Sequence, residues 1–130
     1  VRGIRRSVDR IKNRLPRVIR AYQKRLSTRI RELTQGIDLN PDRLAQEVAL
    51  YAERSDISEE LTRMQSHLDR FEEMVKSQEA VGRSLDFLLQ EMVREVNTIG
   101  SKGNDSVISH EVVFLKGELE KLREQVQNVE

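Results

Sequence analysis

A chain of 130 residues with 37 % hydrophobic, 35 % charged and only 4 % aromatic residues suits long amphipathic helices better than a thick globular core. It has no cysteine, which excludes disulfides and thiolate metal sites and agrees with a reducing compartment. No signal-peptide pattern and no apolar run long enough to span a bilayer is present.

The net charge of +1 hides a division. Residues 1–31 carry twelve Lys/Arg and a single acid, a charge of +11, and the remainder carries −10. Such a basic segment attracts phosphates, of nucleic acid or of anionic lipid, or folds against the acidic remainder of its own or a neighbouring chain.

Residues 4–33 are predicted as one helix. Ile4, Val8, Ile11, Leu15, Val18 and Tyr22 alternate four and three apart, and Leu26, Ile30 and Leu33 continue the face. Pro16 lies inside the pattern, where it removes an amide donor and must kink or split the helix. The pattern begins abruptly and without Met, so the chain is read as a fragment that lacks its N-terminal part. Gln35-Gly36 is the expected stop.

Asn40-Pro41 is a helix start, with a capping side chain followed by proline at the first helical position. Leu44, Val48 and Tyr51 give this short second helix an apolar side. Asp56, with Glu59 three residues on, marks the start of a third helix over 57–76. Its stripe is Ile57, Leu61, Met64, Leu68, Phe71 and Val75.

The fourth helix is predicted over Gly82–Lys102, with Leu85, Leu89, Met92, Val96 and Ile99 as its stripe and Leu88 beside them. Gly100 offers a left-handed stop, and Gly100–Ser106 reads as a loop. The last helix runs from about Val107 to the end, on Ile108, Val112, Leu115, Leu119, Leu122, Val126 and Val129. Gly117 costs it roughly 1 kcal/mol relative to Ala and suggests a close backbone approach. The expected fold is all-α, long amphipathic helices packed as antiparallel coiled-coil-like hairpins. Their stripes are narrow, so oligomerisation is expected.

The candidate chemistry lies on the third and fourth helices. Glu60, Arg63 and His67 share one flank of the third. Glu91 and Glu95 flank the stripe of the fourth. If these flanks meet, carboxylates and an imidazole converge in a set that suits Mg²⁺ or Mn²⁺ and could also hold Zn²⁺, an ion that would activate water and stabilise charge on a phosphate oxygen. The alternative is that these are ordinary charges making helix-surface pairs. His110, the other imidazole, reads as a surface residue. Asp86, Gln90, Arg94 and Asn97 form a separate line on the far side of the fourth helix. Phe87 and Val93 lie near it, off the core stripe, and point to another subunit or a ligand.

Asp56-Ile57-Ser58-Glu59-Glu60-Leu61 with Arg63 and Ser66-His67-Leu68 resembles the YicC/YloC-type family of bacterial proteins. So does Gly82-Arg83-Ser84-Leu85-Asp86-Phe87-Leu88-Leu89-Gln90-Glu91-Met92, followed by Arg94-Glu95 and Asn97-Thr98-Ile99-Gly100-Ser101-Lys102. The ending Glu118-Leu119-Glu120-Lys121 with Arg123-Glu124-Gln125-Val126-Gln127-Asn128 fits as well. The resemblance covers about residues 40–130 and departs at Val93, where the family more usually has Asn. It implies a cytoplasmic, stress-induced endoribonuclease that depends on a divalent metal, assembles as a hexamer, and has a larger N-terminal domain absent from this chain.

The expected organisation is thus a basic helix over 1–34, a linker or oligomerisation arm, and a C-terminal helical domain of the YicC type over 35–130. Glu91, Glu95 and His67 are the candidate catalytic groups, and Glu60, His67, Glu91 and Glu95 the candidate ligands of Mg²⁺ or Mn²⁺. Arg63, Arg83, Arg94, Asn97 and Lys102 are candidate RNA contacts, and Arg14, Arg17, Arg20 and Lys24 widen the electrostatic track. The rival reading is a non-catalytic helical oligomerisation and RNA-binding module. A third, the basic helix lying on an anionic membrane, is weakened by arginines spread around the helix.

Overall fold

The computed structural model describes residues 1–34, 40–77 and 82–129. They form five helices: α1 (Arg2–Thr34), α2 (Pro41–Arg54), α3 (Ser58–Ser77), α4 (Gly82–Gly103) and α5 (Ser106–Val129). The all-helical reading is borne out, and the described residues contain no strand. The stop read at Gln35-Gly36 lies outside them, as do the side chains of Leu33 and Val129.

Four helices pack together in a ring, α1 beside α3 and α5, and α4 beside the same two. Neighbours run antiparallel, as their contacts show. Along α1 and α5, Arg14 meets Asp105 while Arg10 and Ser7 meet Glu111. Along α3 and α4, Glu60 meets Lys102 and Arg63 meets Glu95. The stripes read from the sequence fill the centre, with Val8, Ile11, Met64, Leu68, Met92, Val96, Ile99 and Leu115 fully buried. Val75 is the exception, half-exposed near the end of α3.

α1 is one helix through Pro16, which faces solvent. Its first half is part of the core through Ile4, Val8, Ile11 and Val18. Beyond Val18 it buries no residue among those described and runs past the α4–α5 turn. The sixteen residues from 19 to 34 extend this arm by about 24 Å at 1.5 Å per residue. α2 lies against the arm and has no buried residue of its own. The rings of Tyr22 and Tyr51 stack between them, with centroids 3.7 Å apart and planes at 7°.

The helix starts follow the sequence. Asn40 accepts the Asp42 amide at 3.1 Å, with Pro41 in the first turn. Asp56 accepts both the amide and the hydroxyl of Ser58, at 2.9 and 2.6 Å. Those bonds hold its carboxyl below the ordinary value. Glu59 turns to Arg63 rather than back to the cap.

Two glycines behave differently from expectation. α4 does not stop at Gly100; it continues to Gly103, and the left-handed residue is Asn104, with φ 36°. Gly100 and Gly103 serve helix contact instead. A Cβ on Gly103 would lie 2.7 Å from Ile108 Cγ2, and one on Gly100 would lie 3.3 Å from Val112 Cγ1. Without side chains there, the ends of α4 and α5 close on each other. Gly117, by contrast, has nothing within 4 Å of an added Cβ, so it permits no close approach.

Candidate functional site

The α3–α4 seam carries the charged residues singled out above. Glu60 and Glu95 are buried, only 3 % and 5 % exposed. They flank apolar stripes, so packing the stripes draws their carboxylates out of water, and each is met there by a cation. Lys102 Nζ donates to Glu60 Oε1 at 2.7 Å. Arg63 Nε donates to Glu95 Oε1 at 2.8 Å, and its terminal nitrogens reach Glu59 and, at 3.8 Å, Glu60.

Burial pushes the Glu60 carboxyl up, but the hydrogen bond and charge of Lys102, with Arg63, leave it below its ordinary value. The bond to Glu95 raises Arg63, and the bond to Glu60 raises Lys102. Glu60 Oε2 remains buried without a hydrogen-bond partner.

A divalent ion needs carboxylates whose charge is not already neutralised. Two of the four expected ligands, Glu60 and Glu95, are engaged by Lys102 and Arg63. Among the described residues no three His, Cys, Asp or Glu side chains are grouped to hold a metal ion. In this arrangement the four residues do not fit a shared metal site.

The other two expected ligands sit one helical turn away. The pairing of Arg63 with Glu95 places His67 and Glu91 at one level, since each is four residues further along its antiparallel helix. Both are half-buried, and no hydrogen bond joins them. Among the described residues the ion pair of Glu91 is with Arg94, at 3.8 Å.

On the second line of α4, Gln90, Arg94 and Asn97 are exposed, while Asp86 is half-buried and its Oδ1 is out of water without a hydrogen-bond partner. Gln90 Nε2 donates to Asp86 Oδ2 at 3.1 Å, while Arg123 of α5 lies 3.9 Å from Asp86 Oδ1. Phe87 is 59 % exposed and Val93 36 %, as expected for residues off the core stripe. Arg83, Arg94 and Asn97 are exposed.

The basic helix divides in two. Arg5 binds Asp69 and Glu72, Arg10 binds Glu111, and Arg14 binds Asp105 through two nitrogens at 3.1 and 3.2 Å. The bond to Asp105 raises Arg14, and Asp105 is held below its ordinary value by Arg14 first, opposed by burial, and by the Ile108 amide. This half folds against the chain's own acids, one of the alternatives the charge distribution left open. Arg17, Arg20 and Lys24 are exposed and make no ion pair among the described residues.

Of the cations proposed for RNA, Arg14, Arg63 and Lys102 are therefore tied into internal pairs, and Arg17, Arg20, Lys24, Arg83 and Arg94 face solvent. Sequence reading missed Asp105, whose carboxylate both caps α5 through the Ile108 amide at 3.2 Å and receives Arg14. Its place after Gly103-Asn104 and three residues before an apolar stripe was the available signal. It also missed the tyrosine stack, because Tyr22 and Tyr51 passed as ordinary members of apolar faces.

The model of the family described as "Endoribonuclease YicC-like, C-terminal" matches residues 11–130. "Probable endoribonuclease YicC" of Clostridioides difficile (strain 630) is 43 % identical over 128 residues, which cover 98 % of this chain and 44 % of that protein. "Probable endoribonuclease YicC" of Haemophilus influenzae (strain ATCC 51907 / DSM 11121 / KW20 / Rd) is 39 % identical over 122 residues, 94 % of this chain and 42 % of that protein. The chain spans less than half the length of these curated relatives. The family match begins inside α1 and runs through all the remaining described helices, so the chain belongs to the YicC-like endoribonuclease family, in its C-terminal region.

Proposed function

We propose that this chain is the C-terminal part of an endoribonuclease that hydrolyses RNA phosphodiester bonds. The observation that carries the reading is 43 % identity, across 98 % of the chain, to a protein named as a probable endoribonuclease. The unpaired cations of the α1 arm support it, since they give a phosphate backbone somewhere to lie.

His67 and Glu91 are the proposed proton-transfer groups. They share one level of the α3–α4 seam, remain partly accessible, and are not consumed by the Glu60–Lys102 and Arg63–Glu95 pairs. Arg83, Arg94 and Asn97, exposed on the same helix as Glu91, are the proposed contacts to phosphate or ribose. No step is assigned to a metal held by Glu60 and Glu95, because those carboxylates already carry cations.

The test is cleavage of a structured RNA by the full-length protein with Mg²⁺ or Mn²⁺ present. His67→Ala and Glu91→Gln should each lower the rate by about 10²-fold or more while melting is unchanged. Unchanged cleavage in both would remove the site assignment.

A second reading is a non-catalytic module for RNA binding and self-association. Phe87 at 59 % and Val113 at 72 % exposure favour it, as apolar surface on the outer sides of α4 and α5 available to another copy. It requires salt-dependent RNA binding with no turnover under any metal.

A further inference from the structure

Tyr22, Arg25, Leu26 and Arg29 are spaced by three, one and three residues and share one face of the α1 arm. That face meets Tyr51 of α2 and Asn104 of the α4–α5 turn around an open groove of ≈ 280 Å³. Arg25 and Arg29 also border a second groove, ≈ 400 Å³, on the side of Lys24, Thr28 and Glu32, whose carboxylate makes no ion pair with either arginine. The two guanidinium groups thus stand on a ridge between two hollows.

Like charges one turn apart repel, and neither arginine has an acidic partner among the described residues. An anion on the ridge would relieve that repulsion. Beside it lie the stacked rings of Tyr22 and Tyr51, whose inner faces cover each other and leave an outer face for a base, and, on Asn104, a side-chain amide that both donates and accepts. Phosphate alone has no use for the rings or for an amide placed at a base edge. A nucleotide uses all three.

We propose that this groove is a nucleotide subsite. It holds one unstacked nucleotide of single-stranded RNA, with the phosphate on Arg25 and Arg29, the base against the tyrosine pair, and Asn104 at the base edge. The neighbouring nucleotide crosses the ridge into the second groove. The proposal rests on the RNA reading of function, but it concerns binding and not the chemical step.

The test measures equilibrium binding of two fluorescein-labelled probes of equal length by the 130-residue chain. One is a single-stranded oligoribonucleotide and the other its abasic ribose-phosphate analogue. Arg25→Gln with Arg29→Gln should weaken both probes. Tyr51→Leu should weaken the oligoribonucleotide about ten-fold, in line with loss of one stacked base, and leave the abasic probe unchanged. Tyr51→Phe keeps the ring stack and should restore binding of the oligoribonucleotide, which separates a lost stacking surface from a detached α2.

Equal effects of Tyr51→Leu on both probes, no effect on either, or no binding of either probe would overturn the subsite. Tyrosine-dependent binding by a full-length protein that never cleaves RNA would keep the subsite and remove the ribonuclease reading. Unimpaired binding by the variants together with active cleavage would do the reverse.

Discussion

Glu60 and Lys102 set how much charge the α3–α4 seam can tolerate. A carboxylate only 3 % exposed is held ionised by one ammonium at 2.7 Å. Glu60→Gln keeps the shape and removes the charged partner, and should cost about 1–2 kcal/mol of stability at neutral pH in urea unfolding. The pH dependence has a definite sign. The Glu60 pKa is lowered on folding from an ordinary value of 4.5, so the unfolded chain binds its proton more readily. Its contribution is complete above that ordinary value and is lost as pH falls through the lower folded value. The gap between native protein and Glu60→Gln should therefore close in acid; a constant gap from neutral pH into strong acid would contradict the linkage. Asp56 and Asp105, both lowered from 3.8, add to the same acid limb.

At the scale of single helices, the two classes of glycine make opposite forecasts. Gly117 is in the exposed interior of α5 with open space around it, so Gly117→Ala should stabilise the chain by about 0.5–1 kcal/mol, read as a raised melting temperature. Gly103→Ala drives a methyl against Ile108 and should destabilise. The apolar rhythm of each helix was legible in the sequence, because periodicity of four and three is a local property. The helix starts at Asn40 and Asp56 were legible for the same reason. The end of α4 was not. Gly100 satisfies the local rule for a stop, but the reason it is glycine is Val112, twelve residues on, and nothing within α4 reveals that neighbour. The same limit governs the candidate site. Spacing placed Glu60, Arg63 and Glu95 on flanks of their stripes, and the structure brings those flanks together. It did not show that the meeting is carboxylate with guanidinium and ammonium, since spacing within each helix does not tell whether Arg63 and Lys102 turn to phosphate or to a carboxylate of the neighbouring helix.

Across the whole molecule, charge is partitioned along α1. In the half inside the bundle Arg5, Arg10 and Arg14 are paired with Asp69, Glu72, Glu111 and Asp105, whereas Arg17, Arg20 and Lys24 have no acidic partner among the described residues. Replacing Arg17, Arg20 and Lys24 by Gln should leave melting nearly unchanged. It should also flatten the dependence of log K for single-stranded RNA on log salt by about 0.7 for each phosphate contact removed. Arg14→Gln should do the converse, lowering the melting temperature through loss of Asp105 while barely changing the salt slope. Were all four residues to alter the slope alike, the division of the helix would be wrong.

Pro16 lies close to that division. It supplies no amide, so the Lys12 carbonyl loses its partner four residues ahead, and the helix has one fewer rung where the bundle gives way to the arm. Bending stiffness is therefore lowest at the place where a tilt would swing the most charge through space. In the RNA reading proposed above, a cantilever softened at its root would let its tip follow an irregular polyanion, while Ile4, Val8 and Ile11 anchor the other end within the core.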